Sequence, residues 1–305
     1  MQGFGRVVLG RTPEQLLGPL LAIVLVVVLR EALGRRFSPS WAVGASVAAT
    51  AAAAVIGAAL LRRTIPGHVR HADPVYETRT WTRGALPLIA MAAVQLANLQ
   101  IGIVLLGSLR GPRDAGIFSV AGRASGLLAF FLLATVPTLM PTIAELRARE
   151  NGVQLQRLVT RAARYVLLGS LPLAVVLLAF PGPVLAVFGH DFRGGGTALR
   201  ILCLGQLVNI ASGFVGTILM MVYRTGWLTL CLSVGAVANV ALGAALIPGL
   251  GLTGAAIASA ASLAASNIAM AVVLWRLEGI YAPALGRGPD EGRRRRAAEA
   301  TRASA

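Results

Sequence analysis

The chain has 305 residues, of which 56% are hydrophobic and only 13% are charged, and its mean hydropathy is +0.74. A soluble domain carries about 25% charged residues, so this composition excludes an ordinary soluble protein. The formal net charge is +16 and every basic residue is an arginine. Because these arginines lie between apolar segments, they indicate a role in membrane topology and argue against nucleic-acid binding.

Eight apolar segments follow one another along the chain, each close to the length of about 20 residues that a membrane-spanning helix requires. They are Leu16–Leu33, Trp41–Leu61, Ala85–Leu106, Ala115–Pro141, Tyr165–Phe188, Ala198–Tyr223, Trp227–Ile247 and Gly254–Trp275. Arg30 and Glu31 interrupt the first segment near its end. The sequence therefore predicts an all-α, polytopic integral membrane protein with about eight transmembrane helices.

The distribution of arginines predicts the orientation of these helices. Twenty arginines lie on the same side of the membrane as the N-terminus, seven lie on the opposite side, and Arg123 lies inside a span. Cytoplasmic loops are enriched in basic residues, so both termini are predicted to be cytoplasmic. The cluster of Arg30, Arg35 and Arg36 departs from this rule locally.

Polar stretches divide the chain into four predicted parts. Residues 1–61 form an N-terminal helical hairpin, residues 62–84 a basic cytoplasmic linker loop, residues 85–278 a six-helix lobe, and residues 279–305 a disordered basic tail. Two roles fit the run Arg293–Arg296 in this tail: contact with anionic lipid headgroups, and a plain stop-transfer and solubilising role.

Polar side chains within the predicted spans are the candidates for function, because a polar group is costly in hydrocarbon. Gln95 and Asn98 are three residues apart and share one face of the third span. Gln206 and Asn209 repeat this spacing in the sixth span. Further polar residues within spans are Asn239, Ser266 and Asn267. The alternative role for each of them is a hydrogen bond between packed helices.

Arg123 is the one arginine within a span, eight residues after Ala115 and so about 12 Å from the outer end of its helix. A charge at that depth should face protein or water rather than lipid. The small residues Gly122, Ser125 and Gly126 leave space around the guanidinium, whose planar set of donors suits a phosphate or pyrophosphate. The alternative is a side chain that extends to the outer headgroups.

The sequence offers no catalytic or metal-binding pattern. Cys203 and Cys231 lie in apolar segments and lack the spacing of metal ligands. They are therefore expected to be small buried side chains. Only His190 is directly followed by an acidic residue, Asp191. We interpret this pair as part of a loop turn and not as the acid–base centre of a membrane glycosyltransferase. No carboxylate lies in the middle of a span, where a cation-coupled antiporter would carry one. We therefore expect no enzyme, no metal and no cofactor.

Four sequence motifs occur in order at successive helices. They are Arg83–Pro87, Ala115–Arg123, Ala198–Gln206 continuing to Asn209 and Gly213, and the glycine-rich Leu246–Ser259 with Asn239 upstream. The glycines of the last motif permit a tight turn and a close approach of helices. Together the motifs resemble the C-terminal portion of oligosaccharide-lipid flippases, the polysaccharide biosynthesis proteins of the multidrug/oligosaccharidyl-lipid/polysaccharide exporter superfamily. The resemblance covers about Thr80 to Glu278, and the first hairpin more loosely.

This resemblance implies two six-helix lobes, related by pseudo-two-fold symmetry, that rock around a central cationic cavity. The chain would supply one whole lobe and only the last two helices of the other. Four spans would then be missing, which puts independent transport in doubt. A missing N-terminal half or a second subunit is the partner that this comparison implies.

The resemblance also implies a function in a bacterial inner membrane. The parent protein would move an undecaprenyl-diphosphate-linked oligosaccharide across the membrane for cell-surface polysaccharide such as lipopolysaccharide, by alternating access and without covalent chemistry. Arg123 would pair with the lipid diphosphate, and Gln95, Asn98, Gln206 and Asn209 would contact sugars or bridge helices. Three alternatives remain: a cation-coupled multidrug antiporter, a peptidoglycan-precursor flippase and a non-transporting membrane fragment.

Overall fold

The computed structural model describes most of the chain as helices. The described residues are 18–34, 38–64, 78–149, 152–221 and 224–278. Contacts divide the chain into two units, Met1–Glu77 and Thr78–Ala305. Within the described residues no strand occurs, and several helices are long and apolar enough to cross a membrane. The prediction of an all-α, polytopic membrane protein is confirmed.

The first unit contains two helices, α1 (Gly18–Leu33) and α2 (Pro39–Thr64), that pack against each other. Ala45, Ala49 and Ala53 recur every four residues on the buried face of α2. Side chains this small let two helix backbones approach closely, as is usual in membranes. The rest of α2 exposes valines, as a lipid-facing surface does.

The second unit contains eight described helices. They are α3 (Thr78–Arg110), α4 (Pro112–Gly126), α5 (Ala129–Ala148), α6 (Gly152–Ala179), α7 (Pro181–Ala186), α8 (Gly196–Ala211), α9 (Val215–Met221) and α10 (Thr225–Glu278). A short 3-10 helix, His190–Gly195, connects α7 to α8. Helix α10 packs against α3 and α8, α4 also packs against α3 and α8, and α6 packs against α5 and α8.

Helix α10 consists of two antiparallel arms that meet at Gly251. Gly251 has φ 55° and ψ −127°, a left-handed conformation that glycine adopts without steric cost. Asn239 on the first arm lies beside Ser259 on the second. At Gly254 an added Cβ would lie 2.5 Å from the carbonyl oxygen of Leu246. The tight turn and close approach predicted for this motif are therefore present.

Five described helices are long and apolar enough to span a membrane, or six if the bent pair His190–Ala211 and Val215–Met221 forms one span. The sequence predicts about eight, and two structural features account for the difference. Helix α1 has only 16 residues, fewer than the about 20 that a full span needs. Helix α10 counts once in this tally, although its two arms run in opposite directions.

The predicted span Tyr165–Phe188 is wrong at both ends, because α6 begins at Gly152 and ends at Ala179. Its first turns are amphipathic: apolar side chains are buried on one face and arginines are exposed on the other. At the other end, Phe180 precedes Pro181 and has φ −121° and ψ 49°. A residue before proline is driven out of the helical region by steric conflict, so the helix stops there.

The predicted span Ala115–Pro141 is interrupted between α4 and α5. The N–H groups of Leu127 and Leu128 donate to carbonyls three residues back, over 3.3 and 3.1 Å, so the chain tightens into a 3-10 turn. The interruption lies directly after the last turn of α4, which carries Arg123.

The predicted linker, residues 62–84, is helical at 62–64 and at 78–84. Its middle part, residues 65–77, lies outside the described residues, as does the predicted tail at 279–305. Both cysteines are buried, as the sequence predicts. The cytoplasmic location of the termini stays a prediction.

Candidate functional site

A cavity of about 790 Å³ lies in the second unit, with walls mainly from α3, α4, α8, α9 and α10 and one side chain, Leu132, from α5. All five of the side chains that the sequence nominates for substrate binding line it: Gln95, Asn98, Arg123, Gln206 and Asn209. These residues come from the consecutive helices α3 and α4 and from α8, which lies about 80 residues further along the chain. The fold therefore collects the polar groups of the spans around one space.

The α3 wall carries two amides with different roles. Asn98 Nδ2 donates to the carbonyl oxygens of Val94 and of Leu232 on α10, each over 3.1 Å. Asn98 thus connects two helices, which is the alternative role foreseen for it. Gln95, one turn earlier, is exposed, and its amide makes no hydrogen bond to any other described residue. It therefore remains available to a ligand.

The α8 wall carries an amide pair. Asn209 Nδ2 donates to Gln206 Oε1 over 3.1 Å, and both side chains are half-buried. A primary amide has two N–H donors and one carbonyl acceptor. The bond between them leaves the Gln206 amino group and the Asn209 carbonyl oxygen unused. The pair therefore offers the cavity both donors and acceptors, as a ligand with hydroxyl groups requires.

Arg123 brings a positive charge to this space. It is exposed at the end of α4 and is the one charged side chain among the described residues of the lining. It forms no ion pair with the described part of the chain. A Cβ placed on Gly122 or Gly126 would meet no atom within 4 Å. The helix surface next to Arg123 is therefore open at these two glycines.

The two arms of α10 form a polar floor. The side chains are Asn239, Ser259, Ser262, Ser266 and Asn267. Ser259 Oγ lies 3.5 Å from Asn239 Oδ1, and Asn267 Nδ2 donates to the carbonyl oxygen of Leu263 over 2.9 Å. The buried Ser262 hydroxyl has no partner among the described residues. Such a group is unfavourable unless water or a ligand satisfies it.

Sequence analysis finds Asn239, Ser266 and Asn267 but misses Ser259 and Ser262. The signal that could have found them is their spacing. Ser259, Ser262 and Ser266 recur after three and four residues and so share one helix face. Single serines are common in membrane helices, so only the fold shows that this face meets Asn239.

A break in the helix between α8 and α9 forms another part of the wall. The predicted span Ala198–Tyr223 is discontinuous here, and the two pieces meet at 44°. Gly213 has φ 72°, in the region that favours glycine. Ser212 Oγ also donates to the carbonyl oxygen of Val208 over 2.8 Å. Broken helices beside a central cavity are a common way for membrane transporters to form a binding site.

The fold and the cavity define an all-α, multi-pass membrane protein with a positively charged, amide-lined cavity. No family model matches the chain. It is similar to the probable flippase AglR of Haloferax volcanii, with 25% identity over 168 residues, which are 54% of this chain and 35% of that protein. It is also similar to the probable low-salt glycan biosynthesis flippase Agl15 of the same organism, with 22% identity over 167 residues, again 54% and 35%.

These relatives agree with the flippase resemblance of the motifs. Both are named as flippases, which are transporters and not enzymes. The matched part of the chain spans about a third of each relative's length. Both relatives are archaeal, and neither name specifies an exporter superfamily or a bacterial inner membrane.

Proposed function

We propose that the cavity binds the head of a lipid-linked oligosaccharide, and that the chain forms part of a flippase for it. In our proposal the lipid carrier is undecaprenyl diphosphate. The observation that carries the proposal is the Arg123 guanidinium, which forms no ion pair with the described residues and shares a single cavity with amides and hydroxyls. The names of the two distant relatives support the same class of protein.

Arg123 binds the phosphate groups in this proposal. Its planar donors match phosphate oxygens two at a time. The described lining holds no carboxylate that would compete for the guanidinium. A diphosphate gains from both features, whereas a cationic drug would be repelled.

The amides bind the sugar. Gln95, Gln206 and Asn209 supply donors and acceptors to hydroxyl groups, while Asn98 holds the α3 wall against α10. The cavity volume, about 790 Å³, lies within the range of about 300–1,000 Å³ for ligand pockets. A sugar or two next to the diphosphate fits this space. The peptidoglycan precursor carries the same type of head, so it remains a related candidate substrate.

Movement of the substrate requires alternating access, in which the cavity opens to one side of the membrane at a time. In this proposal the walls bend at the helix interruptions at 127–128 and at 212–214, and the two helices on either side of the second interruption meet at 44°. An exposed arginine at this depth must face water or protein. Further helices, from the same polypeptide or from a second subunit, complete the wall opposite Arg123 in this proposal.

The test measures binding of a polyprenyl-diphosphate-linked oligosaccharide to the purified protein. Arg123→Gln should weaken binding about 10- to 100-fold, because a hydrogen bond to a charged group is worth about 1.5–3 kcal/mol. Arg123→Lys should retain part of the affinity. Arg79→Gln, a change at an exposed arginine of α3 outside the cavity, is the matched control. Equal affinity of Arg123→Gln and the unaltered protein would disprove the role of Arg123.

A further inference from the structure

A second, apolar groove of about 440 Å³ lies between α5 and α6 and shares no lining residue with the polar cavity. Phe131 and Leu139 of α5 and Ala162 and Val166 of α6 form its walls. Thr135 of α5 and Leu158, Arg161 and Tyr165 of α6 complete the lining. The groove thus combines an apolar surface with a positive charge and a phenol along its α6 wall.

The position of Arg161 along α6 puts its guanidinium within reach of the headgroup region. The apolar span Gln154–Ala179 has 26 residues, about 39 Å of helix. This exceeds a hydrocarbon thickness of about 30 Å, so one end extends into the headgroup region. The first turns are the amphipathic ones, and Arg161 lies about 27 Å from Ala179 along the axis. Tyrosine and arginine are typical of this depth.

The charge of Arg161 is available to a ligand in the groove. Arg161 is exposed and makes no ion pair within the part of the chain that the structure describes. Tyr165 is 73% exposed, and its hydroxyl can donate a hydrogen bond. The two side chains are four residues apart, so they lie on one face of α6.

From these features we infer that the groove is a binding site for an anionic membrane phospholipid. The phosphate and an anionic headgroup contact Arg161 and Tyr165, and one acyl chain lies along the groove between α5 and α6. The apolar walls assign the site to a lipid rather than to a free phosphate, which would bury no hydrocarbon there. The charge assigns it to an anionic lipid rather than to a zwitterionic one.

The experiment counts bound lipids on the purified chain in neutral detergent by native mass spectrometry. Phosphatidylglycerol and phosphatidylcholine with identical acyl chains are compared. The unaltered chain should bind phosphatidylglycerol more tightly. Arg161→Gln should weaken that binding about fivefold and leave phosphatidylcholine unaffected, and Arg161→Lys should preserve the preference. Arg276→Gln, at an exposed arginine in the last turn of α10, is the matched control and should change nothing.

A second variant tests the acyl-chain part of the site. Ala162→Phe fills the groove and leaves Arg161 in place, so it should weaken phosphatidylglycerol binding about as much as Arg161→Gln. Water-soluble glycerophosphoglycerol should not compete with the lipid. Equal affinity for the two lipids in the unaltered chain would overturn the inference. So would competition by glycerophosphoglycerol, full affinity in Ala162→Phe, or the same loss in Arg276→Gln.

Discussion

The side-chain amide of Asn98 on α3 donates to the backbone carbonyl of Leu232 on α10, over 3.1 Å. The same amide group also donates to the carbonyl of Val94 on its own helix. Both N–H bonds of the Asn98 amide therefore have acceptors. The bond to Leu232 joins two residues that are 134 positions apart in the sequence. Gln95, its neighbour on the same face, makes no such bond to the described residues.

This difference predicts opposite results for two alanine substitutions. Asn98→Ala should lower the free energy of unfolding by about 0.6–2 kcal/mol, because it removes an interhelical hydrogen bond. Gln95→Ala should leave stability unchanged and weaken oligosaccharide-lipid binding. Thermal unfolding in detergent, measured together with ligand affinity, separates the two effects. A large loss of stability in Gln95→Ala would contradict the assignment of the two amides.

The close contact between α8 and α10 predicts a steric effect. A Cβ on Gly205 would lie 2.8 Å from Ala260 Cβ and 3.0 Å from its Cα, so Gly205→Ala should destabilise the protein by about 1–3 kcal/mol through overpacking. Adding Ala260→Gly should restore much of the loss, whereas Gly226→Ala, at an exposed helical glycine with open space around it, should not destabilise. Failure of the double variant to recover would show that the helices are not in contact there.

The break between α8 and α9 predicts sensitivity to backbone conformation. Gly213→Ala forces a side chain into a left-handed conformation, which costs about 1–2 kcal/mol. The break should then straighten or strain, and transport should fall more than ligand binding does. A flipping assay in liposomes containing the complete transporter, with binding measured in parallel, tests this. Unchanged transport would show that the break is not needed for movement.

The two buried serines Ser262 and Ser125 should respond differently to removal of the hydroxyl. Ser262 Oγ has no partner among described residues, whereas Ser125 Oγ donates to the carbonyl oxygen of Gly122 over 2.9 Å. Ser262→Ala should therefore be neutral or stabilising in the ligand-free protein, and Ser125→Ala should cost about 0.5–1.5 kcal/mol. Thermal unfolding measures both. If ligand binding then weakens in Ser262→Ala, the hydroxyl contacts the ligand.

Hydrophobic pattern alone predicts the helices because a spanning segment must be apolar over its whole length. It also predicts the polar lining, since polar residues such as Gln206 and Arg123 are costly in a span and so stand out in the sequence. That Arg123 and Gln206 line one cavity follows only from the packing of α4 and α8 against each other.

Other features could not be read from hydropathy. The arginines at the start of α6 indicate a loop, yet Leu155, Val159 and Ala163 are buried there on one helical face, because tertiary packing decides whether an amphipathic stretch is ordered. Likewise the residues around Gly213 are apolar enough to continue a span. The break includes a positive φ at Gly213. Because glycine is also common inside continuous membrane helices, its presence in the sequence does not predict a break.

The interruption between α8 and α9 has a consequence for the solvent around the cavity. Ending one helix and starting another leaves several backbone N–H and C=O groups without helical partners. Hydrocarbon offers these groups no hydrogen bonds, and each would be unfavourable by several kcal/mol. Two donors at this break already have partners, because the Ser212 N–H donates to the Val208 carbonyl and the Gly213 N–H to the Ile210 carbonyl, each over 2.9 Å. The remaining groups lie where Gly213 and Phe214 line the cavity, so water in the cavity can supply their hydrogen bonds. Amide hydrogens of the break should therefore exchange with deuterated solvent before those in the middle of α8.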